Sequence, residues 1–286
     1  MKGRRTSPTL RRRRLASELR RLREVSDLTR DEAARRMGWH GSKISRIETG
    51  ESSVHPGDVR DLVDMYDVVE PEQRDALVTL AREAKQRGWW MRYNDVFTSP
   101  FVGLEAEAAT IRTYQPQLVP GLLQTGDYAT AVTRMALAGG DRSSHEVERR
   151  VAARLDRQKL LTAEDPPAFW AILDEAALRR TVGSKPLMRE QMDHLIKAVN
   201  DEQATLQVLP FTAGVHPAMA GQFVILDFIE PSDAPVVYLE TDTEELYLET
   251  PEQIAHYNVI FDYLRAMALG PDESVQLIAR MTEDLG

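Results

Sequence analysis

Between Leu28 and Gly50 the chain carries the start and stop signals of two short helices placed almost end to end, and few folds accommodate that spacing. Thr29 stands three residues before Glu32, the reciprocal capping arrangement that satisfies the free amides of a helix start. A short helix is therefore predicted over 30–37. Gly38 can take the left-handed conformation that ends a helix, Trp39 supplies an apolar anchor, and a second short helix fits 41–49, closed by Gly50. Two short helices joined by a tight glycine turn make a helix-turn-helix.

The flanking sequence completes a bundle. Over 10–25, Leu15, Leu19 and Leu22 recur at spacings of four and three with arginine on the other faces, the pattern of an amphipathic helix. His55, Pro56 and Gly57 punctuate the chain before Val59, Leu62, Val63 and Tyr66 mark a fourth helix. Pro71 opens a fifth, with Leu77, Leu80, Ala81 and Ala84 along one stripe. An all-α, five-helix domain is expected over 1–87.

The charge distribution points to what that domain meets. The 286 residues carry a formal charge of −9, but residues 1–50 hold fifteen basic against six acidic side chains, leaving 51–286 at −18. A basic head on an acidic body suits a chain of which one end meets a polyanion. A disordered basic tail is the alternative, against which the helical spacing of 10–25 argues. There are no cysteines, which excludes disulfide frameworks, iron-sulfur clusters, thiol nucleophiles and zinc ribbons. No apolar run is long enough to span a membrane, and the start Met1, Lys2, Gly3, Arg4, Arg5 leads into more arginine instead of an apolar core. A cytoplasmic location is expected.

The residues Leu19, Leu22 and Arg23, then 28–34, then Ile44, Ser45, Arg46, Ile47, Glu48, Thr49 and Gly50, resemble the Cro/CI-type (XRE-type) helix-turn-helix of prokaryotic transcription regulators. The resemblance implies that the second helix of the pair enters a DNA major groove. On this sequence the base-facing positions are then Gly41, Ser42, Lys43 and Arg46. Arg46 follows Lys43 and Ser42 by three and four residues, so the three share a face, and its guanidinium can offer two parallel donors to a guanine. Arg30, Ser45 and His40 are the phosphate-contact candidates. Ile44 and Ile47 point the other way, into the core. The resemblance also implies an internal ion pair between Glu48 and Arg23, with pairing to another arginine as the rival. Where the family commonly has a glutamine this chain has Arg30, and His40 and Gly41 replace the usual serine cap and polar reader. The Arg11 to Arg14 run reads either as reaching toward DNA or as a solvated helix face.

Gly88 to Asp95 breaks the helical stripe, so a linker is placed at 88–100, with an α+β domain over 101–286. Trp89 and Trp90 read as a packing wedge or as one wall of a ligand cage. Together with Leu122, Gln124 and Tyr128 they are the candidate effector or partner pocket. Phe101, Leu104, Ala108 and Ile111 are spaced as a helix with Glu105 and Glu107 outward, followed by a turn at Tyr114 to Gln117. Gly88-Trp89-Trp90, Leu104-Glu105-x-Glu107-Ala108 and Val119-Pro120-Gly121-Leu122-Leu123-Gln124-Thr125, continued by Arg149, Arg150, Arg154, Arg157 and Gln158, are similar to a large actinomycete family. Its members join an XRE-type head to a C-terminal domain of unknown function and include WhiJ-like and antitoxin-like regulators. That resemblance implies regulation, often beside a small partner protein encoded nearby.

Helices are expected at 145–161, with Val147, Val151, Leu155 and Leu161 inside, and at 187–199. The apolar run at 168–173, bounded by Pro166 and Pro167, is consistent with a strand, and the β-branched or aromatic runs at 205–209, 222–228, 236–239 and 246–248 read as strands of one small mixed or antiparallel sheet. Two further helices carry Ile254, Tyr257, Ile260, Phe261 and Leu264, and then Val275, Ile278 and Met281. His216, Glu240, Asp242, Glu244 and Glu245 would suit a metal only if they converged, and a solvated acidic turn is the alternative reading. No metal or other cofactor is expected. There is no HExxH, no phosphate loop and no nucleophile elbow, so no catalytic activity is expected.

Two functions follow. The first is a sequence-specific transcription regulator, a homodimer on a near-palindromic site in double-stranded DNA. Its body would dimerise and sense a small-molecule effector or a partner. The alternative is an antitoxin-like protein-binding module or small-molecule sensor whose DNA binding is autoregulatory.

Overall fold

A computed structural model of the chain describes residues 8–85, 88–97, 99–137, 143–230, 233–241 and 243–285. The chain forms two compact units, Met1–Arg92 with Ser99–Glu107, and Tyr93–Thr98 with Ala108–Gly286. The sequence-based boundary at 88–100 differs from this division, because the chain leaves the first unit at Arg92, returns for 99–107 and leaves again.

The first unit is helical: α1 (Pro8–Val25), α2 (Arg30–Arg36), α3 (Gly41–Glu48), α4 (Pro56–Met65), α5 (Pro71–Glu83) and α6 (Phe101–Glu105). Its core is the set the periodicity indicates, with Leu15, Leu19 and Leu22 of α1 packed with Ile44 and Ile47 of α3, Leu62 of α4 and Leu77 of α5. Each such aliphatic side chain contributes about 1.5–3 kcal/mol on burial. Prolines at the first turns of α4 and α5 start those helices where an amide has no intrahelical partner anyway. Trp89–Tyr93 forms a 3₁₀ turn in which Trp89 and Trp90 meet edge to face, 6.0 Å between centroids. A side chain at Gly88 would collide with the Trp90 ring, and one at Gly103 would collide with Thr9 and crowd the same ring. Within this unit Trp90 is a packed wedge.

The arginine run of α1 is only partly solvated. Arg11 to Arg14 are half-buried, Arg11 Nε lies 3.2 Å from Glu83 Oε2 with only 12% of its side chain exposed, and the Leu10 amide donates to Glu107 Oε1 at 3.3 Å. Glu105 and Glu107, expected to face outward, are instead both 2% exposed, because α6 ends at Glu105 and the segment turns inward, and Glu107 brings negative charge to the start of α1.

The second unit is α+β. In chain order it comprises β1 (Thr110–Gln115), α7 (Gly126–Ala136), α8 (Ser144–Gln158), β2 (Ala168–Asp174), α9 (Glu175–Arg179), α10 (Lys185–Asn200), β3 (Thr205–Leu209), β4 (Phe223–Asp227), β5 (Val236–Glu240), β6 (Glu245–Leu248), α11 (Pro251–Met267) and α12 (Pro271–Glu283). The six strands form one mixed sheet in the order β3-β2-β1-β4-β5-β6. β1 pairs parallel with β2 and antiparallel with β4, β2 pairs parallel with β3, and the remaining pairs are antiparallel. One face of the sheet, with Tyr114, Ile172, Phe223, Ile225 and Val237, is covered by Ile260, Phe261 and Leu264 of α11. The edge strand β3 is also engaged: Val208 N donates to Ser274 Oγ at 2.9 Å, and Leu269 N donates to Val208 O at 2.9 Å, which removes an open edge. Tyr93–Thr98 joins this unit through Asp95, held by Arg149 of α8 at 2.9 Å, and through Tyr93, whose ring lies 4.5 Å from the Arg149 guanidinium.

Two expectations are corrected. Ile111 and Tyr114 lie in neither a helix nor a turn: α6 stops at Glu105, and Thr110–Gln115 is a strand inside the sheet. Three of its six residues are β-branched and one is tyrosine, and pairing on both edges outweighs a three-residue coincidence of helical spacing. In α8, Val147 and Leu161 beyond it are buried as expected, but Leu155 is 39% exposed, Val151 is only half-buried, and Ala153 takes the inner position.

Candidate nucleic-acid interface

The α2–α3 pair is built by local chemistry. Thr29 Oγ1 accepts from Glu32 N at 3.2 Å, and Glu32 Oε2 accepts from Thr29 N at 2.9 Å and from Thr29 Oγ1 at 2.7 Å. The Thr29 hydroxyl first, and its amide second, hold the Glu32 carboxyl below the ordinary glutamate value. Ala33 and Ala34 are buried, small enough to let α2 approach its neighbours. Gly38, at φ +66°, ends the helix, and Trp39 N donates to Ala34 O at 2.8 Å. His40 caps α3, with Nδ1 3.0 Å from Ser42 Oγ and accepting weakly from Ser42 N at 3.5 Å. Gly41 follows, where a Cβ would sit 2.9 Å from Asp31 Oδ1.

The eight residues of α3 divide cleanly. Ile44, Ile47 and Glu48 are buried, Gly41 and Ser45 are half-buried, and Ser42, Lys43 and Arg46 are exposed along one face. Among the described residues the Arg46 side chain has no hydrogen bond or ion pair, and it is free to meet a ligand. Lys43 is engaged instead: its ammonium sits 3.0 Å from Asp58 Oδ2 and 3.4 Å from the centroid of the Trp39 ring. The sequence reading missed Trp39 and Asp58 as partners of this face. Fifteen residues separate Lys43 from Asp58, and no local pattern links them.

Glu48 is the hub beneath the face. Arg23 Nε donates to Glu48 Oε1 at 2.6 Å, Arg23 Nη2 to Glu48 Oε2 at 3.0 Å, and Arg23 Nη1 to Leu28 O at 2.7 Å. Arg30 Nε donates to Glu48 Oε2 at 3.0 Å. Both partners considered from the sequence, Arg23 and a second arginine, are thus present. The hydrogen bond to Glu48 raises the Arg23 pKa further, and burial pushes the neighbouring Tyr66 hydroxyl up to about 12. Arg23 is sealed in, whereas 41% of the Arg30 side chain faces solvent.

The residues named for an effector pocket fall in different units. Trp89 and Trp90 belong to the first. Leu122, Gln124 and Tyr128 belong to the second, where they are 4%, 3% and 0% exposed. There they fasten the Val119 to Thr125 loop from inside. Gln124 Nε2 donates to Val119 O at 2.7 Å, and the Val119 amide donates to Tyr128 Oη at 3.3 Å. Gln158 Nε2 reaches Gly121 O and Gln124 O at 2.8 and 2.7 Å, while Gln191 Nε2 donates to Leu123 O at 2.7 Å and its Oε1 accepts from Thr125 N at 2.8 Å. Arg154 Nη1 donates to Gln124 Oε1, and burial lowers the Arg154 pKa to about 10. Within the second unit these groups are the internal support of a loop.

The acidic turn of the body does not converge on a metal: among the described residues no group of three or more His, Asp or Glu is placed to hold one, and Asp242 lies outside the described residues. His216 is buried, its Nε2 3.3 Å from Tyr114 Oη, which also donates to Asp174 Oδ2 at 3.2 Å. No helix among the described residues is long and apolar enough to cross a membrane.

A model described as "Helix-turn-helix domain" matches residues 14–77, and the model of a domain of unknown function (DUF5753) matches residues 98–280. No curated protein and no solved structure matches the chain. With a helix-turn-helix head and well over half its length matched by one further model, the chain belongs to the DUF5753 domain family.

Proposed function

We propose that this chain is a sequence-specific DNA-binding transcription regulator of the XRE, Cro/CI-type class from an actinomycete, a cytoplasmic homodimer on a near-palindromic operator. The observation that carries the reading is the division of α3: Ile44 and Ile47 anchor it in the core, while Ser42, Lys43 and Arg46 stand exposed on one face and Arg46 has no partner among the described residues. In this reading Arg46 reads a guanine edge through two parallel donors, Gly41, Ser42 and Lys43 face the bases beside it, and Arg30, Ser45 and His40 meet phosphates. The second unit carries dimerisation and responds to a small-molecule effector or a small partner protein. The chain acts by binding and not by catalysis.

Selection of bound duplexes from random DNA by the full-length chain, at two salt concentrations, tests it. A shared near-palindromic site, its halves about 34 Å apart, is the expected result. Binding that shows no sequence preference and fades uniformly with salt would overturn the reading.

A further inference from the structure

We infer that Asp58 is a specificity-determining residue of the α3 face: its carboxylate holds Lys43 in the place an acceptor group of the DNA would take, so that Lys43 adds to binding only where the duplex fits well enough to displace it. The inference rests on the DNA-binding reading above and goes beyond it in assigning roles to Asp58 and Trp39.

Three separate pieces of backbone converge on one ammonium. Lys43 projects from α3. Trp39 lies in the turn before α3, fixed by its amide bond to Ala34 O and packed against the core of the head. Asp58 stands in the first turn of α4, whose start is pinned by the bond from Gly57 N to His55 Nδ1 at 3.1 Å. A surface lysine ordinarily samples many rotamers. Here the indole face lies on one side at 3.4 Å and a carboxylate oxygen at 3.0 Å. Arg46, one turn further along the same face, is not restrained in this way.

A carboxylate and a phosphodiester oxygen engage an ammonium by the same short, charge-assisted hydrogen bond. The side chains of Lys43 and Asp58 remain 43% and 33% exposed, so the pair is weak enough for DNA to break. Loosely fitted DNA gains little by breaking it, because Lys43 is already neutralised and the released Asp58 would stand beside the polyanion. A cognate duplex, held in register by Arg46, brings a phosphate or a base acceptor to Lys43 and completes the exchange. Asp58 thus penalises the wrong sequences more than the right one. Trp39 sets the direction in which the ammonium points before DNA arrives.

The test compares the full-length chain with Asp58→Asn, Lys43→Ala and the double variant, each titrated by fluorescence anisotropy against random-sequence duplex and against the selected site over a salt series, with melting temperatures recorded in parallel. Asp58→Asn is expected to bind random duplex about two- to fivefold more tightly. Its salt slope on that duplex should steepen by about one, the signature of one added phosphate contact. The gain on the selected site should be smaller, so the preference for that site falls. In the Lys43→Ala background the same substitution should give less than half of these gains. An equal gain in that background would show Asp58 acting only as bulk negative charge, and a lower melting temperature with weaker binding would show it to be only a helix-start residue; either result overturns the inference. If Asp58→Asn and Lys43→Ala both behave like the parent while Arg46→Ala loses the selected site, the inference fails and the DNA-binding reading stands. A parent chain with no preferred site defeats both.

Discussion

Arg30, the first residue of α2, and Glu48, the last of α3, are joined by a 3.0 Å contact between Nε and Oε2 that ties the outer ends of the helix-turn-helix together. The other Glu48 oxygen takes Arg23 of α1 at 2.6 Å, so a single carboxylate fixes the relative placement of three helices. The two arginines differ in solvation: Arg23 is 8% exposed at its side chain and Arg30 is 41%. Removing the carboxylate therefore strands one buried cation and merely frees one surface cation.

Glu48→Ala should destabilise the head by about 3–5 kcal/mol, the usual cost of leaving a buried charge unpaired. Most of that loss comes from Arg23, and the exposed link to Arg30 contributes less than about 1 kcal/mol. Thermal and urea unfolding of the full chain should show an earlier first transition, with sequence preference retained by whatever fraction stays folded. A parent-like melting temperature combined with an altered binding site would contradict this assignment.

Arg46→Ala and Arg30→Ala should separate in kind. Loss of Arg46 is expected to cost about 1–3 kcal/mol on the selected site and to relax preference at one base pair. Loss of Arg30 should weaken all sequences to a similar degree and flatten the salt slope by about one, with a small fall in melting temperature because the link to Glu48 goes too. Binding of each variant to the selected site, to single-base variants of it and to random duplex distinguishes the two. Uniform loss for both would mean that Arg46 is not a base reader.

The helical head is legible in the sequence because its signals are local. A threonine three residues before a glutamate, a glycine after the last periodic position and a proline at a first turn each act within one helical turn, and all occur where the structure uses them. β1 is different. Leu104, Ala108 and Ile111 imitate a helical stripe over a segment whose fate is set by residues far away: Thr110–Gln115 pairs with 168–173 on one edge and with 223–227 on the other. The same holds for the interface. The exposed face of α3 follows from spacing, but the capture of Lys43 by Asp58 and the neutralisation of Arg11 by Glu83 depend on how helices cross. Gln124 and Tyr128 were visible as distinctive residues, yet nothing local indicates that they turn inward to hold their own loop.

Acid should weaken the start of α2 in a defined direction. Glu32 titrates below the ordinary glutamate value of 4.5 because the ionised carboxylate accepts from the Thr29 hydroxyl and amide. A depressed folded-state value contributes stability that is complete above the unfolded value and is lost as pH falls through the folded one. Thr29→Ala removes the hydroxyl that contributes most to that depression. The stability gap between parent and variant should be widest near about pH 7 and narrow steadily below about pH 4.5, as read from urea midpoints across a pH series. A gap that widens on acidification would show that the Thr29 hydroxyl does not act through the Glu32 carboxylate.

Gln191 of α10 offers the sharpest test of how the second unit holds the Val119 to Thr125 loop. Its side chain is fully buried and spends both ends on that loop, donating to Leu123 O and accepting from Thr125 N. Gln191→Leu keeps most of the volume but leaves both backbone groups without a partner and out of reach of water, at about 1–3 kcal/mol each. The loop has further fasteners in Gln158 and Tyr128, so loosening should precede loss of the fold. Hydrogen exchange should show reduced protection first at the amides of Thr125 and its neighbours, before the sheet amides of β1 and β2 respond, together with an earlier unfolding of this unit. Unchanged protection across 119–128 would mean that the loop is held by its apolar residues alone. Leu122 and Leu123 would then have to supply the anchoring that these hydrogen bonds are assigned here.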